Sequence, residues 1–424
     1  MDTTRTMQSD NGSQRMRPAV APAAENRRGT IPQRPVFGWQ TLSGPARQEG
    51  ASVDQLPAVL LTSSGRAAIY LALRQLQLAP GSRVLVPTYH CPTMVAPILL
   101  AGALPLFFGI DAQGQPDLAR IDAGAAGDAR AMIAAHYFGL PQSMAATRAW
   151  CDERGIALIE DCAHAFFGQA GERPIGHWGD FATASITKFF PVPEAGVLAS
   201  SQRPLQPAST PLRKPSAKQQ LKGWIDVIEL GAQYRRLPGL NGILRLLLGI
   251  KNIARSKSAE SAGDAAAPDQ AQMMAECEME RREQRPLAVS RWLLRALPRA
   301  GIARRRSANY QLFERLFAGD ADARPLMARP AGASAPYVFP LWIANPDWAD
   351  HVYLSLRRQG FAVFRWDRIW PGTPTLPGDQ GALWSRQVLQ LLCHQDLDEA
   401  TIRCTAQALL ALLREARASH RVAA

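Results

Sequence analysis

Between residues 58 and 200 short apolar runs alternate with helical patterns, and this rhythm limits the fold of the chain more than any other feature. PAVLLT reads as a strand and leads into SSGRAAIYLALRQLQLAPG, where Ile69, Leu73 and Leu76 share a helical face and Pro80-Gly81 ends the helix. The strand RVLVP, the helix-like PTMVAPILLAG and the strand LPLFFGI, ending at Asp111, come next. ARAMIAAHYFG then reads as a strand, MAATRAWCDERG as a helix and IALIED as a strand again. Such alternation implies an α/β fold with a mostly parallel sheet flanked by helices. Ligands of these sheets bind at the carboxyl ends of the strands.

The rhythm breaks after residue 203. A Pro/Ser/Lys-rich linker, RPLQPASTPLRKPSAK, precedes the apolar and basic WIDVIELGAQYRRLPGLNGILRLLLGI and then SAESAGDAAAPDQ, which reads as flexible. Arg235, Arg236, Pro238 and Arg245 interrupt the apolar part too often for it to span a bilayer. It reads as a helical hairpin packed on the body or on a second subunit, with membrane-surface contact the less favoured alternative. Residues 290–317 predict one long helical stretch. YVFPLWIAN, GFAVFRW and VLQLLCH read as strands, and DLDEATIRCTAQALLALLREA as an amphipathic helix. The organisation predicted is a disordered tail over 1–45, a large α/β domain over 46–203, an insertion over 204–290, and a linking helix with a smaller C-terminal α+β domain over 291–424.

A length of 424 residues, 47% hydrophobic and 20% charged, suits a globular enzyme. The formal charge of +12 favours anionic ligands, yet no nucleic-acid-binding motif accompanies it, so no nucleic acid partner is expected. Cys91, Cys151, Cys162, Cys277, Cys393 and Cys404 form no C-x-x-C pair and no zinc spacing, so no metal site is expected. A reducing, cytoplasmic compartment fits them. The first 35 residues contain no apolar signal-peptide core.

Among 48 basic residues only six are lysines, and Lys188 is the first of them, with none following until Lys214. Arginine stays protonated at any accessible pH, whereas a desolvated lysine gives up its proton and can attack a carbonyl. Lys188 lies in FATASITKFFPVPEAGVLAS, a strand, a loop and a second strand, where Phe181, Phe189 and Phe190 would lower an amine pKa. The plainer alternative is one snorkelling lysine at a strand end.

Upstream, IALIED delivers Asp161 to the carboxyl end of a strand. A carboxylate there can hold a proton on a heterocyclic nitrogen, as pyridoxal phosphate requires, or can simply cap the next helix. His164, three residues on, could contact the same ring or orient Asp161, or be structural. In SSGRAA a strand turns into a helix at Ser64 and Gly65, so the amides of Gly65, Arg66 and Ala67 would face an anion such as phosphate, with Ser185 adding a hydroxyl. The loop VPTYHCPT offers Tyr89 or His90 as a ring to cover the cofactor's open face, and the sequence does not choose between them.

These residues resemble the DegT-type (DegT/DnrJ/StrS) family of pyridoxal-phosphate-dependent sugar aminotransferases, which have the fold type I architecture. The resemblance runs over SSGRAAIYLAL, GSRVLVPTYHCPTMVAPILLAGALPLFFGID, AHYFGLP, GIALIEDCAHAFFG, GHWGDFATASITK and IARRRSANYQLF, and more faintly over GFAVFRWDRIWP and VLQLLCHQDLDEATI. It implies that Lys188 is the Schiff-base lysine, that Asp161 serves the pyridine nitrogen and His164 the ring hydroxyl, and that Ser185, Gly65 and Arg66 hold the phosphate. It also implies a homodimer that moves an amino group from glutamate to a keto sugar carried on a nucleotide.

The sequence departs from the family pattern in four places. Arg66 stands where a threonine is common, the spacing S-I-T-K is short, and an aromatic of the stacking loop is replaced near Cys91. The glycine- and asparagine-containing segment that follows the lysine loop is missing, and the 204–290 insertion takes its place. Elimination or dehydration on a sugar, or a binding role in polysaccharide assembly, stand as alternatives. Arg291, Arg304, Arg365 and Trp366 are candidate contacts to a sugar or an anion.

Overall fold

A computed structural model describes residues 31–43, 50–206, 212–240, 269–329 and 334–423. Residues 1–30 and 44–45 of the expected tail, most of SAESAGDAAAPDQ and the second arm of the expected hairpin lie outside the described residues, whereas residues 31–43 correct the expectation of a disordered tail: Val36 and Phe37 are buried, and the Val36 amide donates to Asp396 at 3.0 Å. The strands are β1 Ala58–Thr62, β2 Arg83–Pro87, β3 Leu104–Phe108, β4 Ala129–Ala135, β5 Ala157–Asp161, β6 Gln169–Ala170, β7 Arg173–Pro174, β8 Phe181–Ser185 and β9 Gly196–Ser200, followed by β10 Ala323–Pro325, β11 Val338–Ile343, β12 Val363–Phe364 and β13 Val388–Leu392. The helices are α1 Gly65–Gln75, α2 Pro92–Leu100, α3 Ala123–Gly127, α4 Ala145–Glu153, α5 Ala217–Gln233 and α6 Gln270–Glu276, then α7 Ala288–Ala296, α8 Ala300–Leu316, α9 Pro346–Arg358, α10 Gly381–Gln387 and α11 Glu399–Ala423.

The large sheet has the order β1-β9-β8-β5-β4-β2-β3. It is parallel from β8 to β3, while β9 runs antiparallel to both β8 and β1. Successive side chains of a strand point to opposite faces. Val84 and Val86 accordingly pack with Ile69, Leu73 and Met94 of α1 and α2, while Leu85 joins Met132 and Leu158 on the other face. Both faces are apolar because both are covered, which is the burial that the near-continuous hydrophobic strands predict.

A four-stranded antiparallel sheet, β10-β11-β13-β12, forms the smaller unit; α9 packs against it, and α11 packs on α9 and α8. The expected strand GFAVFRW contributes only Val363 and Phe364 to it. The expected long helix over 290–317 is two helices, α7 and α8, with Leu297 in an extended conformation between them. Pro298 accounts for the break, since a proline disfavours helical backbone in the residue before it and has no N–H to donate.

The two units meet in a cluster of rings. Trp384 of α10 is buried, and its ring centroid lies 5.4 Å from Tyr89, 5.9 Å from Tyr137 and 5.8 Å from Phe138, all three on strand-end loops of the large sheet. Beside them the Tyr337 amide donates to the Phe138 carbonyl at 2.8 Å. That approach depends on Gly139, at φ +82°, where a Cβ would stand 2.2 Å from the Tyr337 nitrogen. Replacing Trp384 with alanine leaves a cavity at this junction. Trp384→Ala is expected to lower stability by about 3–5 kcal/mol, read as a reduced urea midpoint.

Candidate active site

Strand register assembles the site. Thr62 of β1 pairs with Gly196 of β9, which pairs in turn with Ser185 of β8, and Thr183 of β8 pairs with Asp161 of β5. The carboxyl ends of β1, β8, β5 and β4 therefore lie along one edge. There they border a cavity of about 730 Å³, lined by Ser64, Gly65, Arg66, Cys91, His136, Tyr137, Asp161, His164, Ser185, Thr187, Lys188, Tyr337 and Trp366 among others.

Ser64 is extended at the N-cap of α1, and its Oγ accepts from the Ala67 amide at 3.2 Å. That bond fixes the first turn and directs the helix N-terminus to the cavity. Gly196 packs directly beneath, where a Cβ would lie 2.3 Å from the Ser64 carbonyl carbon and oxygen and 2.6 Å from the Gly65 nitrogen. On the other side a Cβ at Gly65 would come within 3.1 Å of the Ser185 Cβ. The Ser185 hydroxyl is 3.1 Å from that of Thr187, which sequence reading did not single out. The Arg66 side chain leaves this cradle, and its guanidinium donates to Glu278 at 3.0 Å, so its backbone is what faces the site.

Lys188 closes the short turn after β8, and its Nζ lies 5.0 Å from the centroid of the Tyr337 ring. Burial pushes the amine below the usual lysine range, against the opposing pull of Cys91 and Asp161. The loop is held from the small unit. The buried Arg306 of α8 donates to the Lys188 carbonyl at 2.5 Å, to the Pro336 carbonyl at 3.0 Å and to Gln395 Oε1 at 2.8 Å. Burial lowers the pKa of that guanidinium to about 10, which leaves it charged at neutral pH.

Asp161 accepts from the Ala163 amide at 2.9 Å and from the Thr183 hydroxyl at 3.4 Å, both at Oδ1. Burial raises its pKa despite the Ala163 bond and the nearby Lys188 amine. Among the described residues its other oxygen accepts no hydrogen bond and the carboxyl forms no ion pair, and such a buried group is stabilised most by a cationic N–H beside it. The His164 ring lies between Tyr337, 4.5 Å away, and Trp366, 4.9 Å away, and its Nδ1 accepts from the Phe138 amide. Burial and Lys188 keep it neutral, well below the usual imidazole range. His136 also lines the cavity. Its Nδ1 accepts from the Gln142 amide, so its Nε2 donates to Glu160 at 2.9 Å. Burial alone would raise the Glu160 pKa, but His136 and the amides of Gly176 and Trp178 hold it below the carboxylate range.

Two sequence expectations are corrected. Neither Tyr89 nor His90 reaches the cavity. Tyr89 is buried in the ring cluster, while His90 bonds the Pro87 and Thr88 carbonyls and accepts from the Trp370 amide, its pKa lowered by burial to about 4. The loop presents Cys91 and Thr93 to the cavity instead. Helix α2 starts at Pro92 directly after this loop, which turns the two rings into the core. Of the four candidate sugar or anion contacts, only Trp366 lines the cavity. Arg365 pairs with Asp350 and Asp367, and Arg291 and Arg304 are exposed elsewhere. Tyr337, Arg306 and His136 are additional residues of the site. His136 follows a parallel strand and could have been found by the strand-end rule, whereas nothing local marks Arg306 or Tyr337.

The residues present fit pyridoxal phosphate. Lys188 provides an amine, Asp161 a buried carboxyl without an ion pair among the described residues, and the α1 N-terminus with Ser185 and Thr187 a cradle for an anion. Gly196→Ala drives a methyl group into the backbone of Ser64 and Gly65, and is expected to weaken retention of the cofactor, measured by dialysis and absorbance. Folding lowers the proton affinity of Lys188, so in the alkaline range just below the usual lysine value the unfolded chain binds more protons. The contribution of this group to stability therefore rises with pH through that window. Urea midpoints measured across it should climb more steeply for the wild-type apoprotein than for Lys188→Met.

Residues 54–241 match the model of the DegT/DnrJ/EryC1/StrS aminotransferase family. A UDP-N-acetyl-3-dehydro-alpha-D-glucosamine 3-aminotransferase of Acidithiobacillus ferrooxidans is 35% identical over 135 residues, 32% of this chain and 36% of that protein. GDP-perosamine synthase of Vibrio cholerae is 27% identical over 187 residues, 43% of this chain and 51% of the relative. The chain thus spans about a third to a half of the length of these relatives. The aminotransferase TlmJ of Streptoalloteichus hindustanus superposes with a TM-score of 0.57 at 19% identity, over 85% of this chain and 86% of that one, a likeness of fold. Over residues 54–241, which carry the lysine, the aspartate and the helix N-terminus, the chain is similar to the DegT/DnrJ/EryC1/StrS aminotransferase family.

Proposed function

We propose that the protein is a pyridoxal-phosphate-dependent aminotransferase that moves an amino group from an amino-acid donor, glutamate, to a keto sugar carried on a nucleotide, for surface polysaccharide or glycoconjugate synthesis. The observation that carries this reading is the meeting of Lys188 and Asp161 in one buried cavity beneath the N-terminus of α1. The Acidithiobacillus ferrooxidans relative, named a 3-aminotransferase of a UDP-linked sugar, supports the choice of acceptor. Residues 46–203 would provide most of the site and 291–424 its far wall. The protein would work in the cytoplasm as a homodimer.

When bound, pyridoxal phosphate supplies an electron sink for the carbon that loses a proton. The amides of Gly65 and Arg66, with the hydroxyls of Ser64, Ser185 and Thr187, would hold its phosphate. Asp161 Oδ2 would keep a proton on the ring nitrogen, an electrostatic contribution in place before the reaction begins. His164, fixed between two aromatic rings with its Nδ1 accepting from the Phe138 amide, would hydrogen-bond the ring hydroxyl of the cofactor. The Lys188 amine, easily deprotonated, would take the proton from one carbon and return it to the next. Tyr137, Tyr337 and Trp366 would exclude water. A half-buried lysine with lowered proton affinity favours amino transfer over sugar dehydration, which has no need of this base.

The test is conversion of glutamate to 2-oxoglutarate with nucleotide-linked keto sugars by purified protein. Lys188→Ala is expected to lose both the visible absorbance of the lysine-bound cofactor and all turnover, and retained turnover would remove Lys188 from this role. Asp161→Asn is expected to keep the absorbance while turnover falls by about a hundredfold or more.

A further inference from the structure

Helix α5 and helix α7 lie side by side. Their closeness rests on Gly223, where a Cβ would stand 2.5 Å from Leu287 Cδ1 at the start of α7. The inward face of α5 carries the buried Gly223, Val227 and Gly231, and that of α7 carries Val289, Leu293 and Leu294. At about 100° per residue, the outward face of α5 presents Lys218, Leu221, Lys222 and Trp224, and that of α7 presents Arg291, Trp292 and Arg295. Apolar residues occupy this solvent face: Leu221 is 63% exposed, Trp224 38% and Trp292 45%. The two indole rings meet across the helices at 5.6 Å. Around them, Lys222 pairs with Asp226, whereas among the described residues Lys218, Arg291 and Arg295 form no ion pair.

Paired tryptophans and a leucine set among Lys218, Lys222, Arg291 and Arg295, which outnumber the neighbouring Asp226 and Glu229 of α5, have the composition of a surface that lies in the headgroup region of an anionic membrane. A second copy of the chain fits less well. In a two-fold contact centred on this patch each basic rim would face its own copy, and like charges would oppose the contact. The patch is also joined to the cavity. Glu194, which lines the cavity, accepts from the Leu287 amide at 2.9 Å through its carboxylate and bonds the hydroxyl of Ser290 in α7 through its carbonyl. No helix among the described residues is long and apolar enough to cross a membrane.

We propose that the α5–α7 face docks on an anionic phospholipid bilayer, with Trp224, Trp292 and Leu221 entering the headgroup region and Lys218, Arg291 and Arg295 engaging lipid phosphates. This proposal is independent of the aminotransferase reading. It is tested by sedimenting the full chain with phosphatidylglycerol vesicles and with phosphatidylcholine vesicles. The protein should pellet with the former and not the latter, and should be released as salt rises from about 0.1 M to about 1 M. Trp224→Ala/Trp292→Ala and, separately, Lys218→Glu/Arg295→Glu should each weaken binding about tenfold or more. The second pair alters only exposed side chains, so its loss of binding is expected with an unchanged thermal melt. Absence of pelleting, equal pelleting with both lipids, or insensitivity to both variants overturns the proposal. So does a dimer in light scattering that Trp224→Ala/Trp292→Ala dissociates, because the patch would then be a contact between subunits.

Discussion

The contact on which the site depends is the approach of β9 to the first turn of α1. Gly196 pairs with Thr62 on one side and Ser185 on the other, and it has no side chain because the backbone of Ser64 and Gly65 fills that space. This contact sets the helix N-terminus beside the strand end from which the lysine loop departs. An anion cradle and an amine are thereby held by one stretch of sheet.

Burial then does most of the electrostatic work. It lowers the proton affinity of Lys188 and raises that of Asp161, so neither charge is cheaply held there. Arg306 is the counterweight. It remains charged while bonded to two carbonyls and an amide oxygen, one of the carbonyls being that of Lys188 itself. A guanidinium can reach three acceptors from a fixed plane, which an ammonium cannot do. The chain uses arginine to hold the loop and reserves its lysine for the cavity.

Much of this was legible in the sequence because α/β folds write their topology locally. The alternation over 58–200 predicted the parallel sheet, and the strand-end rule brought Asp161, Ser64 and Lys188 to one edge. Where reading failed, the deciding contacts were remote. Tyr89 and His90 share a loop with Cys91, and only the turn into α2, packed against distant rings, decides which of the three faces the cavity. GFAVFRW has strand composition throughout, but β13 pairs with only two of its residues. Pro298 was the exception, a local signal that divides the helical stretch over 290–317.

The sequence by itself determined the order of strands and helices, the cofactor-type pattern of lysine, aspartate and serine, and the unusual solitude of Lys188 among arginines. Hydrophobic period and turn chemistry act between near neighbours, so they can be read in one dimension. Tertiary structure alone decided that Tyr337 and Trp366 would flank His164, that Arg306 would hold the lysine loop from 118 residues away, and that Arg66 would turn outward to Glu278. Those choices depend on which surfaces meet when two sheets pack, and no local spacing encodes that meeting.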